Sequence, residues 1–243
     1  MQSCAQRDRL SVTGVDRIGP YTLLRLERGV LDPGAPGQFF MLEAPGRVLP
    51  RPFSLCLAPP GELVFLVDPV GPGTRALCGL RPGDEIGVLG PLGHGYRLDI
   101  ARPLLVGGGI GIAPLPCLSE ALKAPPTILG FRSEQHAEAA ALLPHAEVVI
   151  DPVLVTDVLP GGYDVLACGP EPMLQAVAAR CPTAQLAWEA PMACGYGACF
   201  GCVVEIDGVL KRLCLEGPVL DARRLNGHVR NQVPDMSRRA MSA

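Results

Sequence analysis

The chain lacks any concentration of one charge: 21 Lys and Arg stand against 24 Asp and Glu in 243 residues, a formal net charge of −3. A nucleic-acid reader gathers basic residues on one face, so that class of partner is not expected. Long apolar runs are missing as well. The stretch PLLVGGGIGIAPL (residues 103–115) is among the longest, and it is broken by glycine and too short to cross a bilayer. The opening MQSCAQRDRL carries charges where a secretory leader needs an apolar segment. No membrane is therefore expected, and a reducing, cytoplasmic setting is. No internal repeat recurs. No Ser-His-Asp or His-rich constellation can be assembled, and the scattered His94, His136, His145 and His228 are expected at the surface.

Glycine and proline, by contrast, are abundant, with 29 and 26 residues spread along a chain that stays 48% apolar. High apolar content alongside turn formers reads as many tight turns around a core, not as disorder. The length suits two compact domains or one with an appendage. From Leu10 to about Leu98, short apolar runs (YTLLRLER, GQFFMLEA, FSLCLA, ELVFLVD, DEIGVLGPLG) alternate with turn signals such as DPGAPG, PPGE, GPGT and RPGD. That pattern predicts an antiparallel β-barrel or sandwich over residues 1–98 with no room for a long helix. Residues 99–187 change texture. Strands RPLLVGG, PTILGFRS, AEVVID and YDVLACGP alternate with helices IAPLPCLSEAL, EQHAEAAALL and EPMLQAVAAR, the signature of an α/β parallel sheet. Residues 188–243 form a third region, with a small hairpin turning at Asp207-Gly208 and a polar tail after Arg224 expected to be solvated.

The α/β region holds two loops with chemical promise. Gly107, Gly108, Gly109 and Gly111 lie directly after a strand and before a helix. There the backbone can approach a pyrophosphate that the helix N-terminus favours, although tight turns use glycine too. A second loop, Cys168-Gly169-Pro170, follows a later strand, and both loops are expected to face one crevice beyond the carboxyl ends of the sheet. Cys168 either lies near a bound nicotinamide or simply packs under the turn.

In chain order, RPFS (residues 51–54), GPLG (90–93), GGGIGIAPL (107–115) and CGPEPM (168–173) resemble the motifs of the ferredoxin–NADP reductase superfamily of flavoproteins. The resemblance implies a flavin held by Arg51, Pro52, Phe53 and Ser54, with the guanidinium near its pyrophosphate and the hydroxyl near its isoalloxazine. It also implies flavin contacts from Leu66, Val67, Asp68, Gly73 and Thr74, and a nicotinamide nucleotide on the two α/β loops. No residue is expected to be catalytic in its own right beyond Ser54 at the flavin and Cys168 at the nicotinamide. Asp68 departs from the family, whose members often carry a basic residue there. Either Arg51 meets the phosphate alone or the contact is through backbone, unless Asp68 merely points to solvent. In GFRSEQ (130–135), Glu134 suits ribose hydroxyls and Arg132 a 2′-phosphate; NAD is preferred over NADP.

Four of the ten cysteines fall within residues 192–214, spaced Cys194-x4-Cys199-x2-Cys202-x11-Cys214. Disulfides, zinc and an iron–sulfur cluster compete for them. A reducing setting disfavours disulfides, and zinc knuckles more often come as two C-x2-C pairs. The first three cysteines match the plant-type [2Fe–2S] ligand run, with the fourth arriving later. The whole segment, EAPMACGYGACFGCVV to LKRLCLEGPVLDARRL, resembles the electron-transfer subunits of NAD-dependent dihydroorotate dehydrogenases, over about Val12 to Leu225. That family implies FAD, a [2Fe–2S] cluster and NAD as co-substrate. Its partner is an FMN-bearing catalytic subunit, in a heterotetramer of two plus two serving pyrimidine biosynthesis. The flavin subunits of certain sulfhydrogenases and of ferredoxin-dependent transhydrogenases share the layout. A non-catalytic zinc-binding scaffold is the alternative of a different class.

Overall fold

The computed structural model describes residues 5–206 and 208–225, together with the backbone of 230–231. The solvated tail expected beyond Arg224 lies almost wholly outside the described residues. Six antiparallel strands build the first unit: β1 (Gln6–Ile18), β2 (Tyr21–Glu27), β3 (Phe39–Leu42), β4 (Arg51–Ser54), β5 (Glu62–Val67) and, after helix α1 (Pro72–Cys78), β6 (Glu85–Leu92). Their order is β4-β3-β6-β1-β2-β5. The sheet curls until its ends meet, where Leu57 just beyond β4 bridges Val64 of β5.

β5 shows why the curl is stable. Leu63, Phe65 and Val67 fill the barrel interior, while Val64 and Leu66 join the apolar layer shared with the second unit. A strand covered on both faces reads as a continuous apolar run rather than an alternation. Three features differ from the sequence reading. The long, half-polar β1 gives no run of apolar residues to betray it. The strand expected at FSLCLA starts earlier, at Arg51 opposite Leu42, and ends at Ser54. And GPGT is no plain turn: Pro72 opens α1, and the Thr74 hydroxyl accepts from the Gly71 N–H at 3.0 Å.

The second unit runs β7 (Pro103–Gly108), α2 (Leu115–Ala121), β8 (Thr127–Phe131), α3 (Glu134–Ala137), β9 (Glu147–Ile150), β10 (Asp164–Cys168), α4 (Glu171–Arg180) and β11 (Gln185–Ala187). The parallel order β11-β10-β7-β8-β9 places the switch point between β7 and β10, whose C-terminal ends carry the two glycine-bearing loops. The helix expected from Ile112 onward begins as a 3₁₀ turn, Gly109–Ile112, and becomes α-helical only past Pro114.

The third region contains the hairpin β12 (Val203–Ile206) and β13 (Val209–Arg212), helix α5 (Leu213–Glu216), β14 (Val219–Asp221) and the short β15 (Arg230–Asn231) against β12. Gly208 sits at φ +72° in the hairpin turn. The region does not stand apart. β14 pairs antiparallel with β11 and becomes the edge of the α/β sheet. Cys202, Cys214 and Trp188 are buried in the same apolar cluster as Val106 and Leu186 of that sheet and Phe39 of the barrel.

Candidate functional site

The loops after β7 and β10 approach until backbone meets backbone. A Cβ on Gly111 would lie 2.4 Å from Gly169 Cα and 2.5 Å from its nitrogen, so only glycine fits. Gly107 is a packing glycine against Leu115 and Leu129, whereas Gly108, Gly109 and Pro170 line a cavity of about 460 Å³ over the sheet. Gly169 lies behind them, against Met173.

Arg132 and His136 line the same cavity. Arg132 Nε donates to His136 Nε2 at 2.8 Å, and Ser133 Oγ lies 2.8 Å from Nδ1. An acceptor Nε2 places the proton of the neutral ring on Nδ1. His136 is therefore a buried orienting residue and not the surface residue expected from its isolation in the sequence. The Tyr21 ring meets it edge-on at 5.8 Å, bringing the barrel over the cavity. Burial, with the nearby Asp68, pushes the Tyr21 hydroxyl up to about 12.

A second cavity, about 240 Å³, lies where the three regions meet. Of the residues expected at a flavin, Pro52, Phe53, Ser54, Leu66, Asp68 and Thr74 line it, joined by Gly111 and Cys168. Val67 does not, because strand alternation turns it into the barrel core. Arg51 lies to one side, its Nη1 donating to the carbonyls of Leu49 (2.7 Å) and Pro50 (3.2 Å). Its guanidinium covers Gly73, where a Cβ would meet Nε at 3.0 Å. Asp68 borders both cavities, so it is not a bystander in solvent.

Trp188, Glu189, Ala190 and Met192 close the far wall, and sequence reasoning assigned none of them. Only their place just before the cysteines could have signalled it. Glu189 opens to the cavity yet sits deep among protein atoms, and that desolvation raises its carboxyl. Burial first, then the Glu189 carboxylate, drive the Cys168 thiol far above its ordinary range, so it stays neutral.

Around the cysteines, backbone N–H groups point at sulfur. Cys199 N–H donates to Cys194 Sγ, Gly201 N–H to Cys199 Sγ and Cys214 N–H to Cys202 Sγ, each at 3.4 Å. The Cys199 side chain acts on the Cys194 thiol and the Cys202 side chain on that of Cys214, which Cys194 also influences. Four thiols with backbone N–H groups aimed at sulfur form a donor set that suits an iron–sulfur cluster. Burial is the largest single influence on the Cys194 thiol and raises it, but the N–H groups of Cys199, Tyr196 and Ala198 and the Cys199 side chain together outweigh it and bring it to about 7. Cys214 is pushed up to about 12 by burial and then by Cys202. Cys194 and Cys199 border an open cavity of about 520 Å³ shared with Arg7, Met41 and Glu43 of the barrel. Phe39 and Met41, two apart on β3, thus face the flavin-side and cysteine-side cavities respectively.

Barrel, α/β sheet and cysteine loop together define a class, the ferredoxin-reductase-like electron carriers. Solved structures of that fold superpose well. An NADH-dependent reduced ferredoxin–NADP oxidoreductase aligns at TM-score 0.78 and 24% identity, covering 91% of this chain and 90% of its own. Phthalate dioxygenase reductase aligns at 0.62 and 16%, covering 82% and 86%. Residues 189–226 match the family described as the iron–sulfur cluster binding domain of dihydroorotate dehydrogenase B. Full-length relatives carry the same name. The dihydroorotate dehydrogenase B (NAD+) electron transfer subunit of Bacillus caldolyticus is 36% identical, covering 89% of this chain and 97% of the relative. That of Clostridium perfringens is 35% identical over 76% and 84%. The chain belongs to the family of dihydroorotate dehydrogenase B (NAD+) electron transfer subunits.

Proposed function

We propose that this chain is the oxidoreductase subunit that accepts electrons from an FMN-bearing dihydroorotate dehydrogenase subunit and delivers them to NAD+, in a complex of two plus two chains. The observation that carries the reading is the adjacency of the three sites. Met192 lines the flavin-side cavity while Ala193 and Cys194 line the cysteine-side one, and Asp68 and Ile110 border both the flavin and the nucleotide cavities. When bound, the [2Fe–2S] cluster supplies single-electron transfer and FAD converts it to hydride transfer to NAD+.

The protein's own residues then have definite tasks. Cys194, Cys199, Cys202 and Cys214 would hold the cluster, with N–H groups aimed at the sulfurs to stabilise negative charge. Arg51, over Gly73 and beside Thr74, meets the FAD pyrophosphate, and Ser54 offers its hydroxyl within the cavity lined by Pro52, Phe53 and Leu66. Asp68 acts from the border of the two cavities and Val67 only through backbone. Gly108, Gly109 and Pro170 seat the nucleotide, while Gly107, Gly111 and Gly169 let the loops close. Cys168, neutral and buried, packs the nicotinamide end without reacting. Residues 1–98, 99–187 and 188–243 serve as the FAD, NAD and cluster regions.

Exposed apolar residues line the cysteine-side cavity, Val48 and Leu49 from the barrel and Tyr196 from the loop, and the exposed Phe200 follows Cys199 in the chain. This rim suits the catalytic subunit. The proposal sets the complex in the cytoplasm; no described helix is long and apolar enough to cross a membrane. Anaerobic purification with iron and flavin analysis tests the cofactors, and a colourless zinc protein overturns the reading. Co-purification with the FMN subunit and dihydroorotate-driven NAD+ reduction test the partner. Stable association with a hydrogenase subunit instead would refute that assignment. NADH is expected to reduce the flavin faster than NADPH.

A further inference from the structure

Two segments that flank the cysteines, one before Cys194 and one after the inner Cys214, are also walls of the flavin-side cavity. Trp188, Glu189, Ala190 and Met192 precede Cys194, and Pro218 follows Cys214 by four residues; all five line the cavity. The segments are tied together and to the rest of the molecule. Trp188 N–H donates to Pro218 C=O at 2.9 Å, and His94 N–H, at the end of the barrel, donates to Gly217 C=O at 2.6 Å. Leu213 N–H donates to Cys202 C=O at 3.1 Å, and Gly217 N–H to Leu213 C=O at 3.0 Å. From Cys202 to the cavity wall there is thus an unbroken run of backbone hydrogen bonds through α5. The run continues as β14, with Val219 opposite Ala187 and Leu220 opposite Leu186.

Cys202 and Cys214 are buried, whereas Cys199 is exposed. Ligation of the inner pair therefore clamps α5 from inside the core, and Pro218 and Trp188 are held by what α5 does. We propose that this strap, Cys202 through α5 to Pro218 and Trp188, links the two cofactor sites, so that iron bound at the inner cysteines sets the affinity of the cavity for FAD. Linkage of this kind is reciprocal: the flavin must favour retention of the cluster by the same factor. The inference rests on the proposed flavin and cluster sites and adds that they are not independent.

Trp188 is the only tryptophan in the chain and lines the cavity, so its fluorescence reports flavin binding directly. The test titrates FAD into the full-length chain carrying its cluster and into the same chain stripped of iron by a chelator under reducing conditions. Binding about tenfold weaker or more in the iron-free chain is expected, within the usual range of coupling between sites. Equal affinities overturn the linkage. Should iron removal unfold the chain, as circular dichroism would reveal, the loaded protein answers from the other side. Iron should pass to a chelator several-fold more slowly with saturating FAD than without it, by the same coupling. Identical rates overturn the proposal. A chain that binds neither iron nor flavin refutes the functional reading itself, a result distinct from binding both independently.

Discussion

A single missing methyl group decides whether the α/β loops can close. Gly111→Ala places a Cβ among Gly169 Cα, Gly169 N and Cys168 C, all backbone atoms with nowhere to go. The substitution should cost about 1–3 kcal/mol of stability and raise the KM for NADH, measured by thermal melting and by flavin reduction. Two thiols outside the cysteine loop give the protein an alkaline limit. Cys56 is pushed up to about 12, first by burial and then by Cys117, and Cys117 to about 11, by burial and then by Glu120. Above the ordinary thiol value of 9.0 the unfolded chain sheds these protons while the folded chain keeps them. Their stabilisation is therefore complete below about pH 9 and is lost as pH climbs towards 11 and 12. Melting temperature against pH should show this limb, and Cys56→Ala should make it shallower.

Among the elements, the linker after β6 and the strand β14 hold the regions in register. Gln185 of β11, 4% exposed, accepts from Arg97 N–H at 2.7 Å and donates to Arg97 C=O at 3.0 Å. Arg97 also makes a bidentate pair with Asp221 of β14, and Tyr96 donates from its hydroxyl to Ala167 C=O at 2.9 Å. The ion pair is largely exposed and worth under about 1 kcal/mol. Gln185→Leu removes two part-buried hydrogen bonds to the Arg97 backbone and should cost about 1–3 kcal/mol, against less than about 1 for Asp221→Asn. Urea unfolding of the two variants checks the order. Strands such as β2, β5, β7 and β10 were legible because their apolar runs are continuous. β1 and β11 were not: one is half polar, and the other is three residues long and becomes a strand only because β10 and β14 flank it.

For the molecule as a whole, Cys199→Ser should remove the cluster and stop dihydroorotate-driven NAD+ reduction, while NADH still reduces the flavin when FAD is supplied in excess. Transfer from the partner at full rate would show that electrons take another route. Tyr196, 57% exposed, and Val48, at 98%, line the cysteine-side cavity, and Phe200, 62% exposed, follows the cavity residue Cys199. An aspartate in place of Phe200 should weaken association with the catalytic subunit by about tenfold or more, as loss of an aromatic anchor does. Analytical ultracentrifugation of the mixed subunits reads it, and an unchanged assembly would move the docking face elsewhere.

The sequence by itself determined the order of barrel, parallel sheet and cysteine loop, since each rests on local periodicity and short spacings. It also marked the loop glycines and the four cysteines, whose meaning lies in residue type. Tertiary structure alone decided that the cysteine region completes the α/β sheet through β14. It alone placed His136 behind Arg132, turned Val67 inward while Asp68 bordered two cavities, and made Trp188 and Pro218 walls of one of them. Those are contacts between residues far apart along the chain, and nothing in a linear pattern records which of them will meet.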